Sequence, residues 1–179
     1  MPDLREQAAL AASLLGSVAA ERGCVTATAE SLTGGLVAEL ITSVPGASQW
    51  FDRGFVTYTP ASKTDVLDVP AELIETEGVV SLAVAHAMAR GAAARSRADV
   101  TAALTGVAGP TGGTPETPVG TVCIGWAQKL ADGTIVTMAR TIRVPGSRDA
   151  VRCAAARVAL QGLIALIGGE NPAAMPCEF

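Results

Sequence analysis

Residues 99–128, "DVTAALTGVAGPTGGTPETPVGTVCIGWAQ", decide the fold because they place two apolar, β-prone runs on either side of a segment that can form neither a helix nor a central strand. Twelve of the sixteen residues from 105 to 120 are Gly, Pro or Thr. Such a segment is either a flexible linker between two domains or an ordered loop. A linker inside a single sheet makes little sense, so we expect an ordered loop at a strand end, where α/β proteins bind their ligands.

Helical patterns and β-prone runs alternate through the first half of the chain, and a hairpin follows. The predicted helices cover residues 5–22, 34–44, 62–67, a short piece that begins at Pro70, 81–96 and 147–167. The predicted strands cover residues 24–29, 51–59, 99–106, 119–128 and 133–144, with Asp132 and Gly133 in the hairpin turn. This order predicts an α/β fold whose mixed sheet is covered by helices.

The length of the chain fits one domain. A chain of 179 residues lies within the usual range for a domain, so we expect a single domain over residues 1–179, with a loose tail after residue 169. No run reaches the ~18 to 20 consecutive apolar residues of a membrane span, and the N-terminal pattern differs from that of a signal peptide. We therefore expect a cytoplasmic protein with no membrane partner.

Charge and composition argue against several classes of partner. The formal net charge is −4 and 3% of the residues are aromatic, which leaves neither the basic surface nor the stacking rings typical of nucleic-acid binding. The four cysteines are far apart, which indicates neither a zinc site nor a disulfide framework. The single histidine, His86, also disfavours metal catalysis. We expect a small-molecule ligand, no metal and no cofactor.

The scarcity of basic side chains narrows the possible nucleophilic mechanisms. A Ser-His-Asp triad would need His86, which lies in mid-helix with no carboxylate nearby in sequence and is better interpreted as a helix-face histidine. A Ser-Lys mechanism stays open, since a desolvated lysine can act as a general base. Lys129 precedes the hairpin turn and is expected to be solvated. Lys63 follows Tyr58 after the second strand. Both side chains could point into one cleft, or the Tyr58 ring could be packed beside a surface-exposed Lys63.

The corner "TAESLTGG" at residues 28–35 is a further candidate site, with Glu30, Ser31 and Thr33 ahead of two glycines. A corner of this kind can present free N–H groups and a positive helix end to an anion. It can equally be a helix cap followed by a tight turn. Arg148, beside the predicted start of the last helix, could bind a phosphate bidentately or could be an exposed arginine.

Several long motifs, in this order, resemble the CinA C-terminal domain family and cover the chain from about residue 25 to 165. The matching stretches are "TAESLTGG", "VPGASQWFDRGFVTYTPASK", "GVVS", "LTGVAGPTGGTPETPVGTV" and "PGSRDAVR". Stand-alone members of this family are nicotinamide-nucleotide amidohydrolases. The resemblance implies a three-layer α/β/α sandwich, homo-oligomers, and hydrolysis of the carboxamide of nicotinamide mononucleotide to nicotinate mononucleotide and ammonia, in pyridine-nucleotide recycling.

The resemblance also implies roles for individual residues. Ser48, in "PGAS", would be the nucleophile and Lys63 its general base. Tyr58 would help to orient or protonate, and Ser31 would line the same pocket and is the alternative nucleophile. The other substrate-binding residues that it implies are Thr33, Gly34, Thr105, Gly106, Gly109, Gly112 and, for the phosphate, Arg148.

The sequence departs from the family pattern at three places. Leu32 stands where the family usually has Cys, Leu82 stands where an acidic residue is common, and "TPAS" at residues 59–62 replaces a more polar run. Two alternatives stay open, and the differences at Leu82 and at residues 59–62 support the second of them. One is a non-catalytic nucleotide- or partner-binding module linked to competence or DNA damage, and the other is an amidohydrolase for a different amide.

Overall fold

The structure, a computed structural model, describes residues 3–177 and 179. This part of the chain contains six α-helices and five strands. The helices are α1 (Leu4–Arg22), α2 (Leu36–Thr42), α3 (Pro60–Leu67), α4 (Ala71–Glu77), α5 (Leu82–Ala94) and α6 (Arg148–Ile167). The strands are β1 (Thr26–Glu30), β2 (Phe51–Val56), β3 (Val100–Gly106), β4 (Thr121–Lys129) and β5 (Ile135–Arg143).

The five strands form one mixed sheet in the order β2-β1-β3-β4-β5. β1 lies parallel to both β2 and β3, because helical connections return the chain to the same end of the sheet. β4 is antiparallel to β3 and to β5, and the β4–β5 hairpin turns at Asp132 and Gly133, where Gly133 has a φ of +84°. The predicted mixed sheet is confirmed.

Helices cover both faces of the sheet. α1, α2 and α6 pack on one face, where α1 and α6 lie against each other and both bury several alanines. α5 packs on the other face against β3, β4 and β5, with α3 and α4 beside it. Alanine has a high helix propensity and a small side chain, so these helices can approach closely. The α/β/α sandwich implied by the resemblance is confirmed.

Three strands end at the same edge of the sheet. Because β1, β2 and β3 are parallel, their carboxyl ends meet there. Ser31 follows β1, Thr57 follows β2, and Gly106 is the last residue of β3. The Gly-, Pro- and Thr-rich segment leaves from this edge and returns to it at the start of β4. Its base is closed by a hydrogen bond of 2.9 Å from the Val107 N–H to the Thr121 carbonyl. The segment is thus a loop within one sheet, at a strand end.

Two local expectations need correction. The sequence predicted that the short helix begins at Pro70. In the structure α4 begins at Ala71, and Pro70 is the N-cap residue that precedes it. The residues after 169 are not a loose tail, because a 3₁₀ turn forms at Pro172–Ala174 and the Met175 carbonyl accepts a hydrogen bond from Arg140. The tail therefore packs against β5 and α6.

Helix α6 is the one helix in the described part of the chain that is long and apolar enough to cross a membrane. In the structure, 61% of the most apolar 18-residue stretch of α6 is buried inside the fold, and the helix packs against α1, β3 and β4. A core helix has the same length and composition, so these properties alone are weak evidence for a membrane span.

The close approach of α6 to the sheet yields a stability prediction. A Cβ at Gly162 would lie 2.2 Å from Cε2 of Trp126, whose Nε1 donates to the Ala159 carbonyl at 3.0 Å. Gly162→Ala should lower the free energy of unfolding by about 1–3 kcal/mol through overpacking, despite the helix propensity of alanine. Urea unfolding measures this. Gln161→Ala, at the exposed neighbouring position, should change it by less than about 0.5 kcal/mol. Equal stability of Gly162→Ala and wild type would contradict the prediction.

Candidate active site

A pocket of about 470 Å³ opens at the carboxyl ends of β1, β2 and β3. Its walls come from the corner after β1, from Tyr58 and Pro60 after β2, from the turn before α5, from the Gly-rich loop after β3, and from Arg148 at the start of α6. This volume is in the usual range for small-molecule sites, roughly 300–1,000 Å³. Motifs that are distant in sequence therefore meet in one pocket.

Lys63 is fully buried beside this pocket. It lies on α3, which begins with a capping box at Thr59. Its Nζ donates to Ser31 Oγ at 2.9 Å and to the Thr57 carbonyl at 2.6 Å. Ser31 lines the pocket, whereas Lys63 lies behind it. The amine of Lys63 therefore faces the pocket through the Ser31 hydroxyl.

Burial changes the acid–base chemistry of Lys63. The loss of water around the ammonium group lowers the pKa of Lys63 from 10.5 to about 8. Lys63 forms no salt bridge within the described residues, so no carboxylate offsets this effect. A fraction of the side chain is therefore neutral near physiological pH. A neutral amine in contact with a serine hydroxyl can accept its proton, as a general base must.

Ser31 is positioned by β1 and by the corner that follows it. Its N–H donates to the Leu104 carbonyl at 3.0 Å, which extends the pairing of β1 with β3 by one residue. The buried Glu30 carboxylate accepts hydrogen bonds from three amides at the start of α2, at 2.9 to 3.0 Å. These bonds fix α2 against the end of β1. Since Glu30 occupies this helix end, the structure contradicts the interpretation of the corner as a helix-end anion site.

The structure does not bring Ser48 to this pocket. Ser48 lies exposed on a 3₁₀ turn, Ala47–Gln49, that precedes β2, whereas Thr57 and Lys63 follow β2. The six residues of β2 span about 20 Å at ~3.3 Å per residue, so the length of this strand separates Ser48 from Lys63. The structure therefore does not bring the expected pair of Ser48 and Lys63 together, and Ser31 is the serine that contacts Lys63.

Arg148 and Tyr58 lie on the rim of the pocket. Arg148 is in the first turn of α6, which is capped by Ser147. Its guanidinium donates to the Gly109 carbonyl at 2.8 Å and to the Tyr58 hydroxyl at 3.2 Å. Both side chains are exposed. A guanidinium has five N–H donors, so donors remain for an anion bound at this rim.

The Gly-rich loop forms one wall of the pocket, and Thr105, Gly109 and Gly112 all line it. The Thr105 hydroxyl donates to the Val79 carbonyl at 2.7 Å, which joins β3 to the turn before α5. Gly109 and Gly112 have φ angles of +80° and +89°, and a Cβ at Gly109 would lie 2.4 Å from Val119 Cγ1. The path of the loop therefore requires glycine at Gly109.

The remaining residues expected at the site have different surroundings. Gly106 lines the pocket, whereas Thr33 and Gly34 do not. Thr33 is fully buried, and Gly34 has a φ of +58° and donates its N–H to the Ser31 carbonyl at 2.9 Å. In this structure Thr33 and Gly34 shape the turn that carries Ser31.

Sequence reasoning did not single out Arg152, which also contacts the corner. Its Nε donates to the Leu32 carbonyl at 3.2 Å, and a terminal nitrogen donates to the Thr33 carbonyl at 2.8 Å. Arg152 follows Arg148 by four residues on α6, and this spacing places two side chains on one helix face. The pair of arginines in "PGSRDAVR" was therefore the available signal.

His86 and Lys129 lie outside the pocket. His86 Nδ1 is 2.9 Å from the Thr137 hydroxyl, and burial lowers the pKa of His86. Lys129 Nζ donates to the Ser96 carbonyl at 3.2 Å, near the amino end of β3. Across residues 3–177 and 179, no three His, Cys, Asp or Glu side chains gather into a group that could bind a metal ion.

Residues 8–167 match the model of the CinA C-terminal domain. The chain belongs to the CinA C-terminal domain family. The resemblance carried by the five motifs is therefore confirmed. The crystal structure of the competence/damage inducible protein CihA from Agrobacterium tumefaciens is similar to this structure with a TM-score of 0.82, at 41% sequence identity over 89% of this chain and 95% of that one.

Curated relatives of two lengths share the domain. The nicotinamide-nucleotide amidohydrolase PncC of Pseudomonas putida is 50% identical over 139 residues, which cover 78% of this chain and 84% of that protein. A CinA-like protein of Chlorobaculum tepidum is 46% identical over 144 residues, which cover 80% of this chain and 34% of the relative. The chain thus spans about a third of the length of the longer relatives it matches.

The buried lysine yields a prediction about stability and pH. Because the pKa of Lys63 is lowered from 10.5 to about 8, the unfolded chain binds this proton more tightly, and the charged side chain destabilises the fold below pH 8. The penalty shrinks as the pH rises from about 8 to about 10.5. The free energy of unfolding of Lys63→Met minus that of wild type should therefore be larger at pH 7 than at pH 10.

Urea unfolding of both proteins between about pH 7 and pH 10 measures this difference. The comparison cancels other groups that titrate in the same range. Lys129→Met replaces the other lysine of the chain and should not reproduce the trend. A difference between Lys63→Met and wild type that does not change with pH would show that Lys63 keeps an ordinary pKa.

Proposed function

We propose that the protein is an amidohydrolase that converts nicotinamide mononucleotide into nicotinate mononucleotide and ammonia, with Ser31 as nucleophile and Lys63 as general base. The observation that carries the proposal is the 2.9 Å contact between Ser31 Oγ and the buried Lys63 Nζ at the edge of the pocket. A serine activated by a lysine is a known arrangement for acyl transfer. Relatives named nicotinamide-nucleotide amidohydrolase, which match over most of their length, support this substrate.

The reaction begins with the transfer of a proton from Ser31 to neutral Lys63. As the proton moves, Ser31 Oγ attacks the carboxamide carbon, a C–O bond forms, and the carbonyl electrons move onto the oxygen. When this intermediate collapses, the C–N bond breaks and the nitrogen leaves as ammonia with the proton from Lys63. An acyl ester on Ser31 remains.

Water then hydrolyses the acyl ester. Lys63 accepts a proton from the water as its oxygen attacks the acyl carbon, and the ester bond to Ser31 breaks. Ser31 Oγ takes the proton back from Lys63, and nicotinate mononucleotide is released. The cycle consumes one water, restores both side chains and uses no cofactor.

The rim of the pocket suits the phosphate of a mononucleotide. Arg148 is an exposed cation that lines the pocket, and its guanidinium can bind phosphate through two parallel hydrogen bonds. The neighbouring Tyr58 hydroxyl accepts a hydrogen bond from Arg148 and can donate its own proton to the same anion. We therefore assign phosphate recognition to Arg148 and Tyr58.

A second candidate function is a non-catalytic module that binds a nucleotide or a partner protein. The similarity to much longer CinA-like proteins favours it, since the domain then serves as one part of a larger chain. In such a module, substitutions at Lys63 would change the affinity for the ligand, and there would be no catalytic turnover to measure.

A cytoplasmic location, a role in pyridine-nucleotide recycling and homo-oligomeric assembly stay predictions from the sequence.

Ammonia release from nicotinamide mononucleotide tests the proposed function. Ser31→Ala and Lys63→Met should each lower kcat by about a thousandfold or more, because one removes the nucleophile and the other its base. Ser48→Ala should keep wild-type activity, since Ser48 lies at the other end of β2. Full activity of Ser31→Ala would contradict the assignment of the nucleophile. Binding of the nucleotide without turnover in wild type would favour the binding module.

The same assay predicts a dependence on pH. Lys63 must be neutral to accept the serine proton, and its pKa is lowered to about 8, so the rate should rise with pH and level off above about pH 8. Initial rates measured from about pH 6 to pH 10 give this profile. A rate that falls from pH 6 to pH 8 would contradict Lys63 as the base.

Comparison of two substrates tests the phosphate site. Arg148→Met should raise KM for nicotinamide mononucleotide by about tenfold or more, because it removes a charge-assisted contact. The variant should change kcat/KM for nicotinamide riboside, which lacks the phosphate, by less than about threefold. Arg22→Met, which removes an exposed arginine at the end of α1, is the control and should affect neither substrate. Equal losses for both substrates in Arg148→Met would contradict phosphate recognition.

A further inference from the structure

The turn after Ser31 carries two backbone N–H groups without an acceptor. The amides of Leu32 and Thr33 donate to no oxygen among the described residues. Leu32 is only 5% exposed and Thr33 is completely buried. The Thr33 hydroxyl also lacks a partner in this part of the chain. Buried N–H groups without a partner are rare in folded proteins, and of these two residues Leu32 lines the pocket, so its free N–H beside a nucleophile indicates that a ligand supplies the acceptor.

These amides are distinct from the N-terminus of α2. The first amides of that helix donate to the Glu30 carboxylate, which therefore already satisfies the helix end. The turn itself is closed by the hydrogen bond from the Gly34 N–H to the Ser31 carbonyl. The free N–H groups of Leu32 and Thr33 thus remain between a closed turn and a satisfied helix.

Arg152 binds the carbonyl side of the same turn. Its Nε donates to the Leu32 carbonyl at 3.2 Å, and a terminal nitrogen donates to the Thr33 carbonyl at 2.8 Å. In a trans peptide the C=O and the following N–H point in opposite directions. The bond to the Thr33 carbonyl therefore fixes the Gly34 N–H, and the bond from Gly34 to the Ser31 carbonyl fixes the Leu32 N–H on the opposite side of that peptide. One rigid fork fixes two successive peptide groups at once.

We propose that Arg152 is a positioning residue that holds this turn so that the free amide of Leu32, which lines the pocket, binds the oxyanion formed when Ser31 attacks. The inference rests on the proposed amidohydrolase function. The amide of the residue after a nucleophilic serine is a known oxyanion donor at strand-to-helix turns. Such donors stabilise the transition state most when they are fixed before the reaction, and Arg152 fixes the Leu32 amide indirectly, by holding the carbonyls of the turn that Gly34 closes.

Three substitutions at Arg152 test the proposal. Arg152→Met removes both hydrogen bonds, Arg152→Gln keeps a donor without charge, and Arg152→Lys keeps the charge but not the fork. The measurements are kcat and KM for nicotinamide mononucleotide, together with the free energy of unfolding of each variant. Since loss of one direct oxyanion donor costs about 10²–10³ in kcat, loss of its support should lower kcat by about 10- to 100-fold in Arg152→Met. Arg152→Lys should restore part of this loss.

The other readouts separate positioning from a general structural role. KM should stay within about threefold of wild type, and the midpoint of the pH–rate profile should not move, because Lys63 and the rim are unchanged. Arg22→Met is the control and should match wild type in every readout. If the Met and Gln variants fail to fold, the kcat of Arg152→Lys against its KM decides the question.

Each outcome bears on one of the two claims. A kcat within about threefold of wild type in all folded Arg152 variants contradicts the inference, and so does a loss of kcat/KM that comes mainly from a higher KM. Either result leaves the amidohydrolase proposal intact as long as wild type turns over the substrate. Absence of turnover in wild type contradicts the proposed function and, with it, the inference.

Discussion

Lys63 Nζ is held between Ser31 Oγ and the Thr57 carbonyl in a fully buried position, and the candidate site depends on this arrangement. Neither oxygen carries a full charge, so the protein replaces the water around the ammonium without supplying a counter-charge. The neutral amine is favoured as a result, and the pKa of Lys63 is lowered to about 8. A salt bridge at the same position would hold the proton on Lys63 and remove its capacity to act as a base.

The parallel half of the sheet makes this arrangement possible. The two oxygens follow β1 and β2, which are neighbours and run in the same direction, so both arrive at one edge. α3 then starts from its capping box at Thr59 and returns Lys63 to the ends of the strands it has just left. The antiparallel half contributes from the other side, because β5 ends at this edge and leads into α6 with Arg148. The pocket therefore draws on both halves of the sheet.

The fold and part of the site could be predicted because they depend on patterns within short stretches of sequence. The alternation of helices and strands is local, and the scarcity of basic residues directed attention to Lys63. The choice of Ser48 followed the family resemblance, although the predicted strand at 51–59 already separated Ser48 from Lys63. Arg152 was missed for a different reason: it binds backbone carbonyls, and a contact of that kind leaves no mark on the side chains of the partner residues.

The corner after β1 shows how the remaining chemistry is distributed. Glu30 satisfies the amides at the start of α2 from one side, and Arg152 satisfies the carbonyls of the turn from the other. After both have been paired, what is left around Ser31 is one amine of lowered pKa and two free N–H groups. A carboxamide undergoing acyl transfer makes two demands of its surroundings, a proton for the departing nitrogen and donors for the charged oxygen. The amine of Lys63 and the free N–H of Leu32 match those two demands, which is why we connect the buried lysine and the turn in one mechanism.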